Sequence, residues 1–533
     1  MKIKETIQFI EFNTFYSEYA PLTPYGLQNK NKYHVFTDTK LLSSIHISIG
    51  KIVTFISEKP IICVKIENHF KKIALLNSLE RKLFDSADIF LVKKLLVNYK
   101  NIVNFLDDTI KEDLQINFTS SELLSFLSLD GANKESFYLN ASYSKDLEGN
   151  RKKLAEINQK LAEIKKERFS EILKEHNLDF RFRDFIVVEE SQTINLNSNL
   201  VYKEVYDKNS LLIKPILPKK YFELHEKKEV LLTEEQLFEQ DVLEKISNKI
   251  LAEKETIKQY LQKLEMLDTL FAKARLAINY KMNPPILGNR KEAIEVKNGY
   301  YLPLANKCAK LGEIYTPLNA EFENKTCVIT GSNMGGKTML LKTIGFMQIL
   351  TQMGFWVPAE KFKTSVFDKI HYIGEDLSEK VEGLSSFGFE IHNLTEATKD
   401  FDKNTLLLID EFAKTTNSIE AKAIIAAMLK SFSQKATLSS FVSTHFMELP
   451  EFENVSFYKM KGLDYSEYEK YYSKEKQYSL RERIKLINTF MRYEIIKTDS
   501  SDRTYDAIKI ADILGLNEEI ITYTKEYLRG NYD

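Results

Sequence analysis

The segment 331–338 constrains the fold of this chain more than any other feature. It fills every required position of the phosphate-loop pattern G-x-x-x-x-G-K-[ST], with Gly331, Ser332, Asn333, Met334, Gly335, Gly336, Lys337 and Thr338. The β-branched run 326–330 before it predicts a buried strand, and the apolar run that begins at Met339 predicts a helix after it. A strand, a glycine-rich loop and a helix in this order predict a cradle for a polyphosphate.

Each residue type in the loop suits a nucleoside triphosphate. Glycines let backbone N–H groups face phosphate oxygens, and the N-terminus of the following helix adds positive potential. We expect Lys337 to reach the β- and γ-phosphates and the Thr338 hydroxyl to hold Mg²⁺. The loop residues 331–338 are therefore the predicted nucleotide-binding residues.

Two later strand ends carry polar residues that suit nucleotide hydrolysis. The apolar run 406–409 predicts a strand that ends in Asp410 and Glu411. We expect Asp410 to hold Mg²⁺, directly or through water, and Glu411 to orient or deprotonate the attacking water. The run 438–443 predicts a third strand that brings His445 to the same edge, where it senses the γ-phosphate. Taken alone, the acidic pair also suits a helix cap and His445 a plain loop, but the phosphate loop upstream favours the catalytic interpretation.

Composition limits the class of protein. A chain of 533 residues predicts three or four domains. Its 75 Lys and Arg residues balance 76 Asp and Glu residues, so any contact with DNA has to come from a local patch. The cysteines Cys63, Cys308 and Cys327 show no disulfide or zinc spacing. Neither a signal peptide nor a membrane span is indicated by the apolar runs, which predicts a cytoplasmic protein.

The pattern of apolar residues predicts four regions. Residues 1–143 are expected to form a mixed or helical core, and residues 144–279 a pair of long helices with a small β-containing insert at about 180–230. The evidence for the pair is the 3/4 spacing of Leu154, Ile157, Leu161 and Ile164, and a capping box at Thr233 that begins the returning helix. Residues 280–465 alternate strands and helices, which predicts an α/β domain with a largely parallel sheet, and residues 466–533 are expected to be helical.

Basic residues cluster near the predicted insert, at Lys214, Lys219, Lys220, Lys227 and Lys228. Phosphate binding is one interpretation of this cluster. Glutamates are interleaved with these lysines, at Glu223, Glu226 and Glu229, which favours ordinary solvated surfaces.

The chain resembles the MutS family of ABC-type ATPases. The segments that carry the resemblance are 330–338, 351–359, 383–391 and 443–449, and the segment 267–275 is similar to the junction helix of second-type members. The resemblance is strong over residues 260–530 and weak before residue 145. It implies an ABC-type P-loop ATPase domain, with ATP and Mg²⁺ as cofactors, preceded by a helical lever region.

The resemblance also implies an assembly. Family members form head-to-tail dimers, or hetero-assemblies, in which the partner's signature loop completes each ATP site and the tail beyond residue 465 supports dimerisation. Here the stretch 413–418 replaces the family's Gly-Arg-Gly-Thr-Ser-Thr, and both glycines are lost. Asn417 is left to donate a hydrogen bond across the dimer, and we expect turnover to be slow or differently regulated.

Two clients fit this resemblance. One is double-stranded or branched DNA, recognised at the clamp in repair or recombination. The other is a cobalamin-dependent lysine aminomutase, with the chain acting beside a second reactivase subunit as a MutS-like reactivating factor. No segment resembles the family's mismatch-reading domain. The tripeptide at Phe9 matches its Phe-x-Glu wedge, and chance is the better explanation of that match.

Overall fold

The computed structural model describes residues 3–129, 137–140, 142–190, 199–289, 292–332, 334–374, 385–471, 478–499 and 506–530. The chain forms two compact units. Unit 1 contains Met1–Glu67, Leu106–Ile116 and Lys263–Asp533, and unit 2 contains Asn68–Phe105 and Asn117–Gln262.

The secondary structure is mixed, with helices predominating before residue 280. In chain order the helices are α1 (Lys4–Phe9), α2 (Phe12–Tyr16), α3 (Pro24–Lys30), α4 (Thr39–Glu58), α5 (Pro60–Lys72), α6 (Ser86–Phe105), α7 (Asp108–Leu114), α8 (Ser121–Phe126), α9 (Lys145–His176), α10 (Lys219–Ala252), α11 (Lys254–Asn279), α12 (Leu302–Leu311), α13 (Lys337–Gln352), α14 (Ser386–Thr398), α15 (Ser418–Ser433), α16 (Tyr465–Tyr471), α17 (Leu480–Phe490), α18 (Asp506–Leu514) and α19 (Glu518–Gly530). The strands are β1 (Ile186–Glu189), β2 (Val201–Val205), β3 (Ser210–Pro215), β4 (Ile286–Leu287), β5 (Glu295–Gly299), β6 (Leu318–Glu321), β7 (Thr326–Thr330), β8 (Lys361–Thr364), β9 (Lys369–Ile373), β10 (Thr405–Asp410), β11 (Leu438–Ser443), β12 (Val455–Leu463) and β13 (Met491–Thr498).

Unit 2 contains the two long helices α9 and α10, packed side by side. The Ser144 hydroxyl accepts a hydrogen bond from the Leu147 N–H at the start of α9. Along the pair, the Arg151 guanidinium binds Glu235 at 2.7 Å and Glu239 at 2.5 Å. The prediction that the returning helix begins at Thr233 is wrong. α10 begins after Pro218, whose fixed φ suits a helix start, and the Thr233 hydroxyl donates to the Glu229 carbonyl inside the helix.

The insert between α9 and α10 is a three-stranded antiparallel sheet in the order β1-β3-β2. Its inner face packs on α9 through Phe169, Ile172 and Ile213, all buried. All three strands lie within the residues 180–230, where the sequence predicts a β-containing insert. Lys214, one of the clustered lysines, pairs with Glu204 at 2.7 Å.

Unit 1 is organised around a largely parallel sheet, as the sequence predicts. Its six strands lie in the order β13-β12-β7-β11-β10-β9, and only β13 is antiparallel to its neighbour. Helix α13 packs on β10 and β11, with Leu341 and Ile344 fully buried. A second sheet, β4-β8-β5-β6, completes the unit. Because β7, β11 and β10 are parallel neighbours, their carboxyl ends meet at one edge.

The N-terminal helices belong to unit 1. The ring of Phe9 stacks on Tyr372 with centroids 3.7 Å apart, and Phe15 meets Phe346 edge-on at 5.5 Å. Phe9 is 3% exposed. Its side chain is a core residue, in agreement with the interpretation of the Phe-x-Glu match as chance.

The segment after residue 465, predicted to be helical, contains the strand β13. This strand pairs antiparallel with β12, from Phe457 opposite Thr498 to Leu463 opposite Met491. The prediction was wrong here because polar and apolar residues are mixed along Met491–Thr498, which leaves its strand period of two weak. The sheet therefore takes its edge strand from beyond the boundary predicted at residue 465.

Among the described residues, α4 alone has the length and apolar composition of a membrane span. Its residues Leu42, Ile49, Ile52 and Phe55 are buried, and the Phe55 ring meets Phe271 edge-on at 6.3 Å. Core helices of this kind pass the same test, so this single helix is weak evidence for a membrane.

Candidate active site

The loop 331–336 connects the end of β7 to the start of α13, which begins at Lys337. Gly331 and Gly336 have φ angles of +138° and +93°, in a region that favours glycine. The Gly335 N–H donates to the Ser332 carbonyl at 2.9 Å, which closes the loop. The ring of Tyr493 on β13 lies 3.2 Å from the position that a Cβ at residue 336 would take. Asn333 lies outside the described residues.

Lys337 extends beneath the loop and is 3% exposed. Its ammonium group donates to the carbonyls of Gly331 at 2.8 Å and Ser332 at 3.0 Å, and lies 3.5 Å from Glu411 Oε1. Burial lowers the pKa of Lys337, and the nearby carboxylates of Glu411 and Asp410 oppose that effect. The buried ammonium group of Lys337 is thus held by loop carbonyls, and an anion can replace these contacts.

Asp410 ends β10 next to the first turn of α13. Its Oδ2 accepts a hydrogen bond from the Thr338 hydroxyl at 2.8 Å, and its Oδ1 accepts one from the Ser443 hydroxyl at 2.5 Å. Burial raises the pKa of Asp410, although both hydroxyl donors lower it. The structure therefore brings together the two residues predicted to hold a metal, Thr338 and Asp410.

The turn after β10 has a strained backbone. Glu411 and Ala413 have φ angles of +50° and +60°, which side chains other than glycine rarely adopt. The Glu411 N–H donates to the Ser443 carbonyl at 3.1 Å, and the Ala413 N–H donates to Glu390 Oε2 at 2.7 Å. These two contacts hold the turn at both ends and direct Glu411 towards Lys337.

His445 and Asn417 lie at the rim of this edge. The exposed His445 follows β11, and its ring lies 4.2 Å from the ring of Phe446. Partial burial lowers the pKa of His445, and the charge of Glu411 opposes this. Asn417 is exposed at the start of α15, where its side-chain oxygen accepts from the Ile419 N–H at 2.9 Å.

Sequence reasoning missed three residues at this edge: Ser443, Glu390 and Tyr493. Ser443 could have been found, because it ends the strand that pairs with β10 and lies directly opposite Asp410. Glu390 lies in the segment 383–391, which is described from residue 385 onward, and no local signal marks its contact with the turn. Tyr493 lies on the strand that was predicted to be helical.

Known proteins are similar to this part of the chain and to residues outside it. Residues 327–530 match the family model MutS domain V. The chain is 26% identical over 458 residues to endonuclease MutS2 of Caldanaerobacter subterraneus subsp. tengcongensis, covering 84% of this chain and 51% of that protein. It is 29% identical over 368 residues to endonuclease MutS2 of Caldicellulosiruptor bescii, covering 68% of this chain and 43% of that protein.

A higher identity holds over a shorter stretch. The chain is 33% identical over 217 residues to endonuclease MutS2 of Acetivibrio thermocellus, which covers 40% of this chain and 26% of that protein. The first two relatives are matched over about half of their own length, 51% and 43%.

Proposed function

Because the chain belongs to the MutS family, we propose that it is an ATP hydrolase acting on DNA in repair or recombination. The observation that carries the ATPase proposal is the convergence of loop and strand ends. Thr338 Oγ1 lies 2.8 Å from Asp410 Oδ2, and Lys337 Nζ lies 3.5 Å from Glu411 Oε1. A hydroxyl and a carboxylate for a metal thus lie beside a buried cation and a second carboxylate.

The residues present fit ATP with Mg²⁺. Ser332 Oγ is buried and has no hydrogen-bond partner among the described residues, so a phosphate oxygen suits it. The oxygens of Thr338 and Asp410 are the hard donors that Mg²⁺ prefers. When bound, the metal would neutralise charge on the phosphates.

The other site residues have distinct roles in this proposal. Lys337 supplies a positive charge to the phosphates once its contacts with Gly331 and Ser332 are exchanged for the nucleotide. Glu411 orients the attacking water and accepts its proton. His445, at the end of the neighbouring strand, senses the terminal phosphate.

A head-to-tail dimer suits the exposed surface around the site. Met334 on the loop is 46% exposed, and Ile419, two residues after Asn417, is 77% exposed. A partner subunit that packs on the loop and on the start of α15 would cover both apolar side chains. In this arrangement Asn417 of one subunit faces the nucleotide of the other, and turnover moves the long helices α9 and α10.

We propose DNA as the client because of the names of the relatives. Those reported above are all named endonuclease MutS2, and an endonuclease acts on nucleic acid. The aminomutase alternative has no support from them. Because the chain covers 51%, 43% and 26% of these three relatives, the activity of a whole MutS2 protein stays a proposal for it.

ATP turnover with and without DNA tests the proposal. We expect the wild-type chain to hydrolyse ATP in the presence of Mg²⁺, Lys337→Ala to lose that activity, and branched or duplex DNA to change the rate. Binding measured over a salt series should weaken linearly in log–log form if phosphate contacts are made. Absence of Mg²⁺-dependent turnover would refute the ATPase proposal, and turnover indifferent to every DNA at low salt would refute the DNA client.

A further inference from the structure

Glu390 carries a carboxylate that is buried next to an apolar cluster. It lies on α14 and is 4% exposed. The helix is anchored by the apolar side chains of Phe387, Ile391 and Leu394, which pack on the core cluster that also contains Ala413. Burying a carboxylate beside this cluster is costly unless its oxygens are bonded.

Glu390 Oε2 accepts the Ala413 N–H at 2.7 Å, in a fully buried contact. The N–H it binds belongs to a residue whose φ of +60° favours glycine. Ala413 itself is fully buried, so its methyl group cannot move outward to relieve the strain. The carboxylate therefore stabilises a backbone conformation that alanine alone disfavours.

The same turn positions Glu411, two residues earlier, whose φ is +50°. At that end the Glu411 N–H is held by the Ser443 carbonyl at 3.1 Å and the Ser443 hydroxyl at 3.2 Å. We infer that Glu390 is a positioning residue for hydrolysis, which fixes the turn 411–413 and through it the carboxylate of Glu411. This inference rests on the proposed ATPase function.

The inference predicts a separation of turnover from binding. Glu390→Met keeps the length of the side chain and removes the acceptor. Because a misplacement of about 1 Å can cost about 100-fold in rate, we expect kcat for ATP to fall by about 10- to 100-fold. The Kd of a fluorescent ATP analogue should not weaken, since Lys337 and Thr338 lie at the start of α13 and not in the turn 411–413.

A second substitution distinguishes positioning from simple damage. Glycine adopts positive φ without strain, so Ala413→Gly should restore part of kcat in the Glu390→Met background. A general loss of packing would not be rescued by removing another methyl group. Ile391→Val, on the same helix, removes one methylene-sized group and no hydrogen-bond acceptor, so it serves as the control and should keep wild-type turnover.

Further measurements keep the test decisive. If Glu390→Met does not fold, Glu390→Gln, which retains an acceptor oxygen, should fold and lose less turnover, again rescued by Ala413→Gly. Hydrogen exchange of the peptide 411–416 tests the contact without ATP and should be faster in Glu390→Met. Wild-type kcat in Glu390→Met, or no rescue by glycine, overturns the inference. Absence of turnover in the wild type overturns the proposed function instead, and unchanged exchange in that case overturns the contact as well.

Discussion

Replacing Glu411 by glutamine tests the central chemistry of the site. The substitution keeps the shape of the side chain and removes its negative charge and its capacity to take a proton. Loss of a general base typically costs about 10²–10⁴ in rate. This corresponds to about 3–5 kcal/mol of barrier. We therefore expect kcat to fall by that factor.

The same substitution should not weaken nucleotide binding. Glu411 Oε1 lies 3.5 Å from Lys337 Nζ, and both groups are mostly buried, with 22% and 3% of their side chains exposed. At an effective dielectric constant of about 20, that pair interacts by about 5 kcal/mol before desolvation is counted. A triphosphate has to compete with the carboxylate for the ammonium group. Removing the charge should therefore leave the Kd for ATP unchanged or tighten it by up to about tenfold, or 1.4 kcal/mol.

Single-turnover hydrolysis with protein in excess, together with equilibrium ATP binding, separates the two effects. Glu396→Gln, which removes a partly exposed carboxylate on α14 that pairs with Lys399, is the matched control and should change neither quantity. Turnover of Glu411→Gln within about threefold of the wild type would refute the role of Glu411 as base. Loss of ATP binding would refute the proposed competition for Lys337.

Two further predictions concern metal binding and stability. Thr338→Val removes the hydroxyl that donates to Asp410 and should abolish Mg²⁺-dependent turnover. Thr351→Val removes a buried hydroxyl that donates to the Met347 carbonyl of the same helix, and it should leave turnover intact. Equal effects of the two substitutions in a steady-state ATPase assay would contradict the proposed metal site. Burial lowers the pKa of His46 from 6.5 to about 4, so the unfolded chain binds a proton more readily than the folded chain. Acidification from about pH 6.5 to 4 should therefore cost up to about 3 kcal/mol of stability, measured as a falling thermal midpoint. His46→Leu should flatten this dependence, while His34→Leu, at an exposed histidine, should keep it.

The sequence predicts the part of the site that is formed by contiguous segments of the chain. The strand before residue 331, the helix from Lys337 and the acidic end of β10 are contiguous patterns, and parallel neighbours bring their ends together. The carboxylate of Glu390 reaches the Ala413 N–H from another element, 23 residues away, and depends on two unusual φ angles that composition does not encode. Contacts of that kind are fixed by tertiary packing.

The errors in predicting the fold from the sequence have similar physical causes. Thr233 precedes two glutamates and fits a capping box, but α10 begins after Pro218 and packs beside α9, so Thr233 lies inside the helix. The edge strand β13 has one face towards solvent and mixed polarity, so its period of two is weak. The packing of Phe9 on Tyr372 could not be predicted, because the two residues are far apart in sequence.

The long sequence separation between Phe9 and Tyr372 has a consequence for folding during synthesis. Helices α1 and α2 carry Phe9, Phe12 and Phe15, whose aromatic partners Tyr372 and Phe346 come more than 300 residues later. At roughly 5–20 residues per second, synthesis of that interval takes roughly 20–70 s. During this time the apolar faces of α1 and α2 lack these two partners. The yield of folded protein is therefore expected to depend on chaperones that bind α1 and α2 during synthesis.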